Sequence, residues 1–251
     1  MQPATDVQAK VRRVHRPGRG HAFWVAGLLF FALPAEPRPA QVLALDALKE
    51  LPVKGRAPKT GYTRAEFGHA WADEDHNGCD TRNDILHRDL TATAVKPGTR
   101  NCVILTGTLM DPYSGEAIRF ERGPNSAEIQ IDHVVALSNA WQTGAFQFAP
   151  EKRQAMANDP LNLLAALGRL NSQKGDGDAA TWLPPRKTYR CAYVARQVAV
   201  KRKYQLWVTP PEHDAIARGD LPWAADSVNR AAGRATDNRS ASARRPASAR
   251  L

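Results

Sequence analysis

Apolar and polar residues alternate most clearly over residues 127–135, in the stretch AEIQIDHVV. A period of two predicts a β-strand with one buried face. The stretches NCVILTGTLMD at 101–111 and EAIRFERG at 116–123 have the same strand character, and turn-forming Gly, Pro, Asn and Ser residues separate the three segments. A fourth apolar run, NLLAA at 162–166, has the length of a short strand. The middle of the chain is therefore predicted to contain four strands.

Helical patterns lie on both sides of these strands. Thr63 and Glu66 have the spacing of a capping box, which predicts a helix from Arg64 to about Ala70. The segment TRNDILHRDLTA, at 81–92, has one apolar face and predicts a second helix. Further helices are predicted over 138–158 (with a break near Gly144 or Pro150), 168–175, 188–206 and 210–219. This mixture of strands and helices indicates an α+β fold.

The two ends of the chain differ from its middle. Residues 10–19 carry five basic side chains and precede the apolar run AFWVAGLLFFAL at 22–33, which has the length of a signal-peptide core. Residues 1–44 are therefore predicted to be a signal peptide or an N-terminal anchor. Residues 45–60 are rich in Lys, Pro and Gly and predict a linker, residues 61–222 a folded domain, and residues 223–251 a disordered tail rich in Arg, Ala and Ser.

Most of the positive charge belongs to these ends. The net charge is +10, and residues 1–40 contain six Lys or Arg against two Asp or Glu, while residues 226–251 contain six Arg against two Asp. The charge of the middle is therefore small, and it gives weak support for nucleic-acid binding by the core.

Three cysteines are present, Cys79, Cys102 and Cys191. In an exported chain two of them are expected to form a disulfide. We favour the pair Cys79 and Cys102, which makes Cys191 the odd cysteine. Because no CxxC unit occurs, a zinc site is not indicated.

The chemistry of the chain is concentrated in two segments, IQIDHVVALS at 129–138 and DPLNLLAALGRLNSQKGD at 159–176. His133 offers an imidazole that can accept a proton near neutral pH. Asp132 and Asn171 offer oxygen atoms to a hard cation, and Lys174 offers a positive charge. Neighbouring residues of a strand point to opposite faces, so Asp132 and His133 meet only if the strand ends or bends there. These residue types suit metal-assisted phosphodiester hydrolysis.

The same segments carry a family resemblance over residues 61–217. The chain resembles HNH endonucleases (the ββα-metal or His-Me finger class), and within them an exported bacterial branch related to the C-terminal domain of GmrSD-type restriction endonucleases. The resemblance rests on WADEDHNGCDTRNDILHRDL, GTLMDPYSG, IDHVVALSNAWQTGA, NDPLNLLAALGRLNSQKGDGDAATWLPP and CAYVARQVAVKRKYQLWVT. It implies a His-Me finger core with a small antiparallel sheet and flanking helices.

The resemblance also implies a role for each residue of the site. His133 would be the general base, Asn162 would brace the loop that holds it, and Lys174 would lie next to the phosphate. Asp132 and Asn171 would bind a divalent metal, Mg²⁺ or alternatively Mn²⁺.

Four other features have two interpretations each. Arg82 either contacts substrate phosphate or forms ion pairs that fix its helix. The D-x-D-x-N pattern at 73–77 resembles the start of a calcium loop, but Asp84 stands where a glutamate is required. The basic run at 201–203 either follows a phosphate backbone or is the solvated face of a helix. The tryptophans are expected in the core rather than as platforms for bases.

The function predicted from these observations is that of an exported, metal-dependent endonuclease of low sequence specificity, with DNA as the favoured substrate. It is expected to be secreted or associated with a bacterial cell envelope, to work as a monomer without an obligate protein partner, and to keep no membrane span after processing. An inactive HNH fold that binds nucleic acid and an antibacterial nuclease effector are the alternatives. A plasmid-nicking assay with and without EDTA separates activity from binding alone.

Overall fold

Helices and strands are interspersed along the chain. The computed structural model describes residues 40–218, with side chains from residue 44 onwards. Within this range the α-helices are α1 (Ala40–Lys49), α2 (Thr81–Asp89), α3 (Leu137–Gln142), α4 (Pro150–Ala157), α5 (Gly168–Lys174), α6 (Arg190–Tyr204) and α7 (Pro210–Ala217). The strands are β1 (Leu90–Val95), β2 (Ile104–Met110), β3 (Ala117–Glu121), β4 (Ile129–His133) and β5 (Leu163–Leu167).

Two small antiparallel sheets organise the fold. The strands β1, β2 and β3 form one sheet in that order, and β4 pairs with β5 in the other. The α+β class predicted from the sequence is confirmed. In the second sheet His133 lies opposite Leu163 and Asp132 opposite Leu164, and α5 begins directly after β5. The arrangement of β4, β5 and α5 thus has the strand–strand–helix order that the resemblance implied.

Two clusters of buried side chains hold these elements together. The first core surrounds both sheets and receives α2 and α6, with members such as Leu86, Ile131 and Val198. The second core joins α3, α4 and the end of α6, with members such as Trp141 and Met156. Consecutive residues after His133 belong to different cores, because Val134 packs in the first and Val135 in the second. The C-terminal end of β4 is therefore held from both sides.

Residues 45–49, predicted as part of a linker, are instead the second half of helix α1. Ala44 and Leu48 are buried, and their spacing of four residues places them on one side of the helix. Leu51, just after the helix, is buried as well. Helix α1 packs against α6. The following residues are also attached to the domain, since the Lys54 amide donates to the Val208 carbonyl at 3.0 Å. Residues 40–44, predicted as the end of the signal segment 1–44, form the first half of α1. The rest of that segment, residues 1–39, and the predicted tail from residue 223 lie outside the described residues.

The helix predicted from Arg64 to Ala70 was wrong in length and in its cap. Only a short 3₁₀ turn, Arg64–Phe67, forms, and the Thr63 side chain makes no capping bond. Gly68 ends the turn with a φ of 74°, a conformation in which a side chain is strained. The predicted helix at 81–92 ends earlier, at Asp89, where the chain enters β1. No helix within residues 40–218 is long and apolar enough to cross a membrane.

Cys79 and Cys102 form a disulfide, the pair that the sequence favoured. It links the loop before α2 to the turn between β1 and β2. Cys191 is buried in the first core.

Replacing both Cys79 and Cys102 with serine is expected to lower the free energy of unfolding by roughly 3 kcal/mol, because the crosslink restricts the unfolded chain. The two cysteines are 23 residues apart. Urea denaturation of the oxidised protein and of the double variant measures the difference. The wild type in a reducing agent serves as the control and should fall to the stability of the variant. Equal midpoints for all three samples would show that the crosslink does not contribute.

Candidate active site

His133 is the last residue of β4, and its imidazole is buried beside the end of α4. The Nε2 atom lies 2.9 Å from the carbonyl oxygen of Ala157. A carbonyl oxygen only accepts hydrogen bonds, so Nε2 carries the proton in the neutral ring and Nδ1 carries the lone pair. Within the described part of the chain Nδ1 has no hydrogen-bond partner. The basic atom of the ring is therefore Nδ1.

The surroundings of His133 keep its ring neutral. Burial disfavours the imidazolium, and the nearby Arg64 guanidinium acts in the same direction, which together lower the pKa of His133 to about 4. The Ala157 hydrogen bond and Asp132 oppose the shift without cancelling it. At neutral pH the ring can therefore accept a proton.

A narrow cleft opens beside this ring. We call it the His133 cleft; its lining residues are Arg64, Phe67, Gly68, His69, Ala70, Trp71, His133, Leu137, Ala157 and Asn158. The indole of Trp71 stacks on the imidazole, with ring centroids 6.1 Å apart and planes inclined by 17°. Trp71 has a φ of 59°, which is uncommon for a bulky residue and marks local backbone strain. The carbonyl of Trp71 accepts from the Thr81 amide at the start of α2.

Asp132 has a different set of partners from His133. Its Oδ2 accepts a hydrogen bond from the Tyr113 hydroxyl at 2.5 Å, and its Oδ1 lies 2.6 Å from the Lys174 ammonium. Burial, followed by the charge of Asp132, raises the pKa of Tyr113 well above its usual value, so the phenol stays protonated and donates. Lys174 also donates to the His133 carbonyl at 2.6 Å. The side chains of Lys174 and Asp132 are 0% and 3% exposed, so this is a buried ion pair.

The two side chains Asp132 and His133 do not converge, although the sequence analysis considered a bend that would bring them together. The strand alternation persists to the end of β4, and Gln130 joins Asp132 in facing α5. The Nδ2 atom of Asn171 donates to Gln130 Oε1 at 2.8 Å, so Asn171 and Lys174 approach the same face of the strand one helical turn apart.

In this arrangement Asp132, one of the two predicted metal ligands, has other partners. Both carboxylate oxygens of Asp132 are already bonded, and the ammonium of Lys174 stands where a cation would approach Oδ1. No hydrogen bond or shared partner joins Asp132 to Asn171. Across residues 44–218, no three His, Cys, Asp or Glu side chains lie close enough together to hold a metal ion. That finding also weighs against the calcium interpretation of the loop at 73–77.

Asn162 makes the contact expected of a bracing residue. Its Oδ1 accepts from the Val135 amide at 2.9 Å, and its Nδ2 donates back to the Val135 carbonyl at 3.3 Å. Its own carbonyl accepts from the Val134 amide at 2.8 Å. The side chain is fully buried. Asn162 therefore fixes the two residues that follow His133.

Arg82 is not among the residues that line the His133 cleft. Its guanidinium donates to the Ile129 carbonyl at 3.4 Å, at the opposite end of β4. Burial, and then the charge of Arg122, lower its pKa. Arg82 forms no ion pair within the described residues, so the ion pairs predicted for it are not observed, and its contact with phosphate stays a prediction.

The basic run at 201–203 is not an open stripe of positive charge. Lys201 is buried and pairs with Glu212 at 2.7 Å, Arg202 pairs with Glu50, and Lys203 pairs with Asp159. Neither of the two interpretations made from the sequence describes all three residues. Their ion pairs attach α6 to α7, to the residues after α1 and to the loop after α4.

Four residues of this region were not predicted from the sequence to belong to the site. Arg64 and Trp71 belong to segments interpreted as a helix and its end, and Tyr113 to a turn. Asn158 is the last residue of the predicted helical segment 138–158. No pattern in the sequence indicates that these residues approach His133 or Asp132, because the contacts join segments that are distant along the chain.

Comparison with known proteins supports a family assignment. The family described as GmrSD restriction endonucleases, C-terminal domain, matches residues 80–218. A protein of the fungus Arthroderma benhamiae, described as an uncharacterized secreted protein, is 35% identical over 187 residues, which cover 73% of this chain and 87% of the relative. No solved structure matches the chain. Because that relative is fungal, it gives no support to the bacterial origin expected from the resemblance.

Proposed function

Because the chain belongs to the family of the C-terminal domain of GmrSD restriction endonucleases, we propose that it is an endonuclease that hydrolyses phosphodiester bonds, with DNA as the favoured substrate. The observation that carries the proposal is His133. Its ring is neutral, its Nε2–H is held by the Ala157 carbonyl, and its Nδ1 has no partner in the described residues. A side chain arranged in this way is suited to removing a proton from water.

The proposed reaction needs one proton transfer to His133. A water oxygen attacks phosphorus and forms a new P–O bond, and the water proton passes to Nδ1. The ester P–O bond then breaks, and the leaving oxygen takes up a proton from the imidazolium or from solvent. The Ala157 carbonyl stabilises the imidazolium through its bond to Nε2. The exposed guanidinium of Arg64, at the same cleft, attracts the phosphate and its developing negative charge.

Low sequence specificity is part of the proposal. No zinc finger or recognition helix is apparent among the described elements, so contacts with the phosphate backbone would dominate binding. Such binding weakens as salt concentration rises, since counterions are released from the nucleic acid.

Export is proposed on three observations. The N-terminal segment has a signal-like pattern, the relative from Arthroderma benhamiae is described as secreted, and Cys79 and Cys102 form a disulfide. Structural disulfides persist mainly in oxidising compartments. Fractionation of the producing cells, followed by detection of the chain in the medium or the envelope, tests this part.

The activity is tested with the purified chain on double-stranded DNA, single-stranded DNA and RNA. Cleavage of supercoiled plasmid into nicked and linear forms is the expected result. Binding of these substrates without any cleavage would support the inactive HNH fold instead. Toxicity to a competing cell, relieved by a neighbouring immunity gene, would assign the same chemistry to an antibacterial effector.

The role of a metal rests on the resemblance alone. A bound Mg²⁺ or Mn²⁺ would supply positive charge to the phosphate oxygens, with Asp132 and Asn171 as the proposed ligands. In the structure Asp132 is bonded to Tyr113 and Lys174, so a cation would have to displace the Lys174 ammonium from Oδ1.

We expect EDTA to abolish cleavage and added Mg²⁺ or Mn²⁺ to restore it. Plasmid nicking measured in EDTA, and then with each metal in excess, gives the answer. Zn²⁺ serves as the comparison ion, since oxygen ligands favour the harder cations. Undiminished cleavage in EDTA would remove the metal from the proposal and would leave Lys174 as the positive charge at Asp132.

A further inference from the structure

Asn158 contributes an unpaired acceptor to the His133 cleft. The residue follows the last turn of α4, is 2% exposed and belongs to the cleft lining. Its Nδ2 donates to the Gln154 carbonyl at 3.0 Å and to the His69 carbonyl at 3.4 Å. Its Oδ1 is buried and has no hydrogen-bond partner in the described part of the chain. Leaving a buried oxygen without a partner costs free energy, so such a group calls for an explanation.

The orientation of this amide follows from its neighbours. Both contacts are carbonyl oxygens, which only accept, so the NH₂ end of the amide must face them. A flipped amide would place Oδ1 against two carbonyls and lose both hydrogen bonds. The oxygen of Asn158 is therefore fixed as the end that is left for another donor.

The peptide bond between Ala157 and Asn158 links the two residues Asn158 and His133. The carbonyl of Ala157 accepts from His133 Nε2, and the nitrogen of that peptide bond belongs to Asn158. Both residues line the His133 cleft, and each has an acceptor without a partner among the described residues, Nδ1 of His133 and Oδ1 of Asn158. No carboxylate lines the cleft, so the charged oxygen ligands that a metal ion prefers are lacking at this position.

We propose that Asn158 positions the attacking water through its Oδ1. A water molecule has two protons, and two acceptors at fixed places orient both of them, which directs a lone pair of the water at phosphorus. His133 would remove one proton, while Asn158 would hold the other and leave it in place. This proposal rests on the proposed nuclease function and adds a positioning residue to it.

The variant Asn158→Ala removes the acceptor. It is expected to lower kcat by about 10- to 100-fold, because loss of orientation at the reacting atoms has effects of this size. The KM for plasmid DNA is expected to stay within about 3-fold, since Asn158 does not hold the phosphate in this scheme. Both constants are measured well below the melting temperature of the variant.

Two further variants separate the oxygen from the NH₂ group. Asn158→Asp keeps an acceptor oxygen and loses both donor contacts, so it should keep more kcat than the alanine variant while losing stability as that variant does. Gln154→Ala is the matched control. Its side chain accepts from the His69 amide at 3.3 Å and donates to Glu74 at 2.8 Å, and it is not part of the cleft lining. It should lower the melting temperature and leave kcat unchanged.

The outcomes are distinct. An active wild type with the expected order of kcat values supports the role of Asn158. If the wild type is active and Asn158→Ala retains its kcat, or if the aspartate variant is as slow as the alanine variant, the role of Asn158 is wrong and the nuclease function stands. A wild type that cleaves neither DNA nor RNA overturns both.

Discussion

Replacement of His133 by alanine is expected to lower the rate of phosphodiester cleavage by about 10²- to 10⁴-fold, the usual effect of losing a general base. The imidazole of His133 presents a basic nitrogen, since its Nε2 is held by Ala157 and its Nδ1 has no partner within the described residues. Initial rates of plasmid nicking, measured at saturating substrate, give the ratio of variant to wild type.

His69→Ala is the matched control for this experiment. It removes an imidazole from the same cleft, and among residues 44–218 the His69 side chain makes no hydrogen bond that would be lost. Circular dichroism and DNA-binding titrations should show that both variants are folded and bind substrate. A slow His69→Ala with a fast His133→Ala would transfer the role of base from His133 to His69.

Replacement of Lys174 by methionine is expected to lower the free energy of unfolding by about 3–5 kcal/mol, because it leaves the Asp132 carboxylate buried without a counter-charge. The pair is enclosed, with Lys174 0% and Asp132 3% exposed. Methionine fills a similar volume, so the loss reports mainly on the charge. Guanidinium denaturation in EDTA measures it without interference from metal ions.

A double-mutant cycle completes the test. The variant Asp132→Asn can keep the contact with Tyr113, and combining it with Lys174→Met removes both charges, so most of the lost stability should return. Lys59→Met is the control. Its ion pair with Asp176 is about half exposed on both sides, and its loss should cost less than about 1 kcal/mol. If Lys174→Met is as stable as the wild type, Asp132 is not held by Lys174 in solution and is open to a metal.

The local parts of the site follow from the sequence. Alternation over AEIQIDHVV predicts β4 and puts Asp132 and His133 on opposite faces, and the resemblance assigns Asn162 to the loop after the base. The break in the helical segment near Gly144 or Pro150 is confirmed by the separation of α3 from α4. These features depend on residues that are close together in the sequence, so the local pattern of apolar and polar residues is enough to predict them.

The contacts between distant segments of the site cannot be predicted from the sequence in this way. Whether Asp132 meets a metal or Lys174 depends on how α5 crosses the face of β4, and nothing in the spacing of residues 132 and 174 determines that angle. Tyr113 reaches Asp132 from a turn in the other sheet. Helix α1 was missed because Lys, Pro and Gly dominate the segment that follows it. Its buried residues Ala44 and Leu48 become informative only once α6 is in place.

The hydrogen-bond partner that orients the His133 ring is a main-chain atom, the Ala157 carbonyl oxygen, and this affects how mutations can disturb the site. Every amino acid at position 157 supplies the same carbonyl oxygen to Nε2, so no codon change there removes it. A base oriented by a carboxylate side chain, in contrast, can lose its partner through a single nucleotide change. In this protein a mutation can turn the ring by moving the backbone or by changing a packing neighbour such as Trp71, but none can replace the hydrogen-bond partner itself.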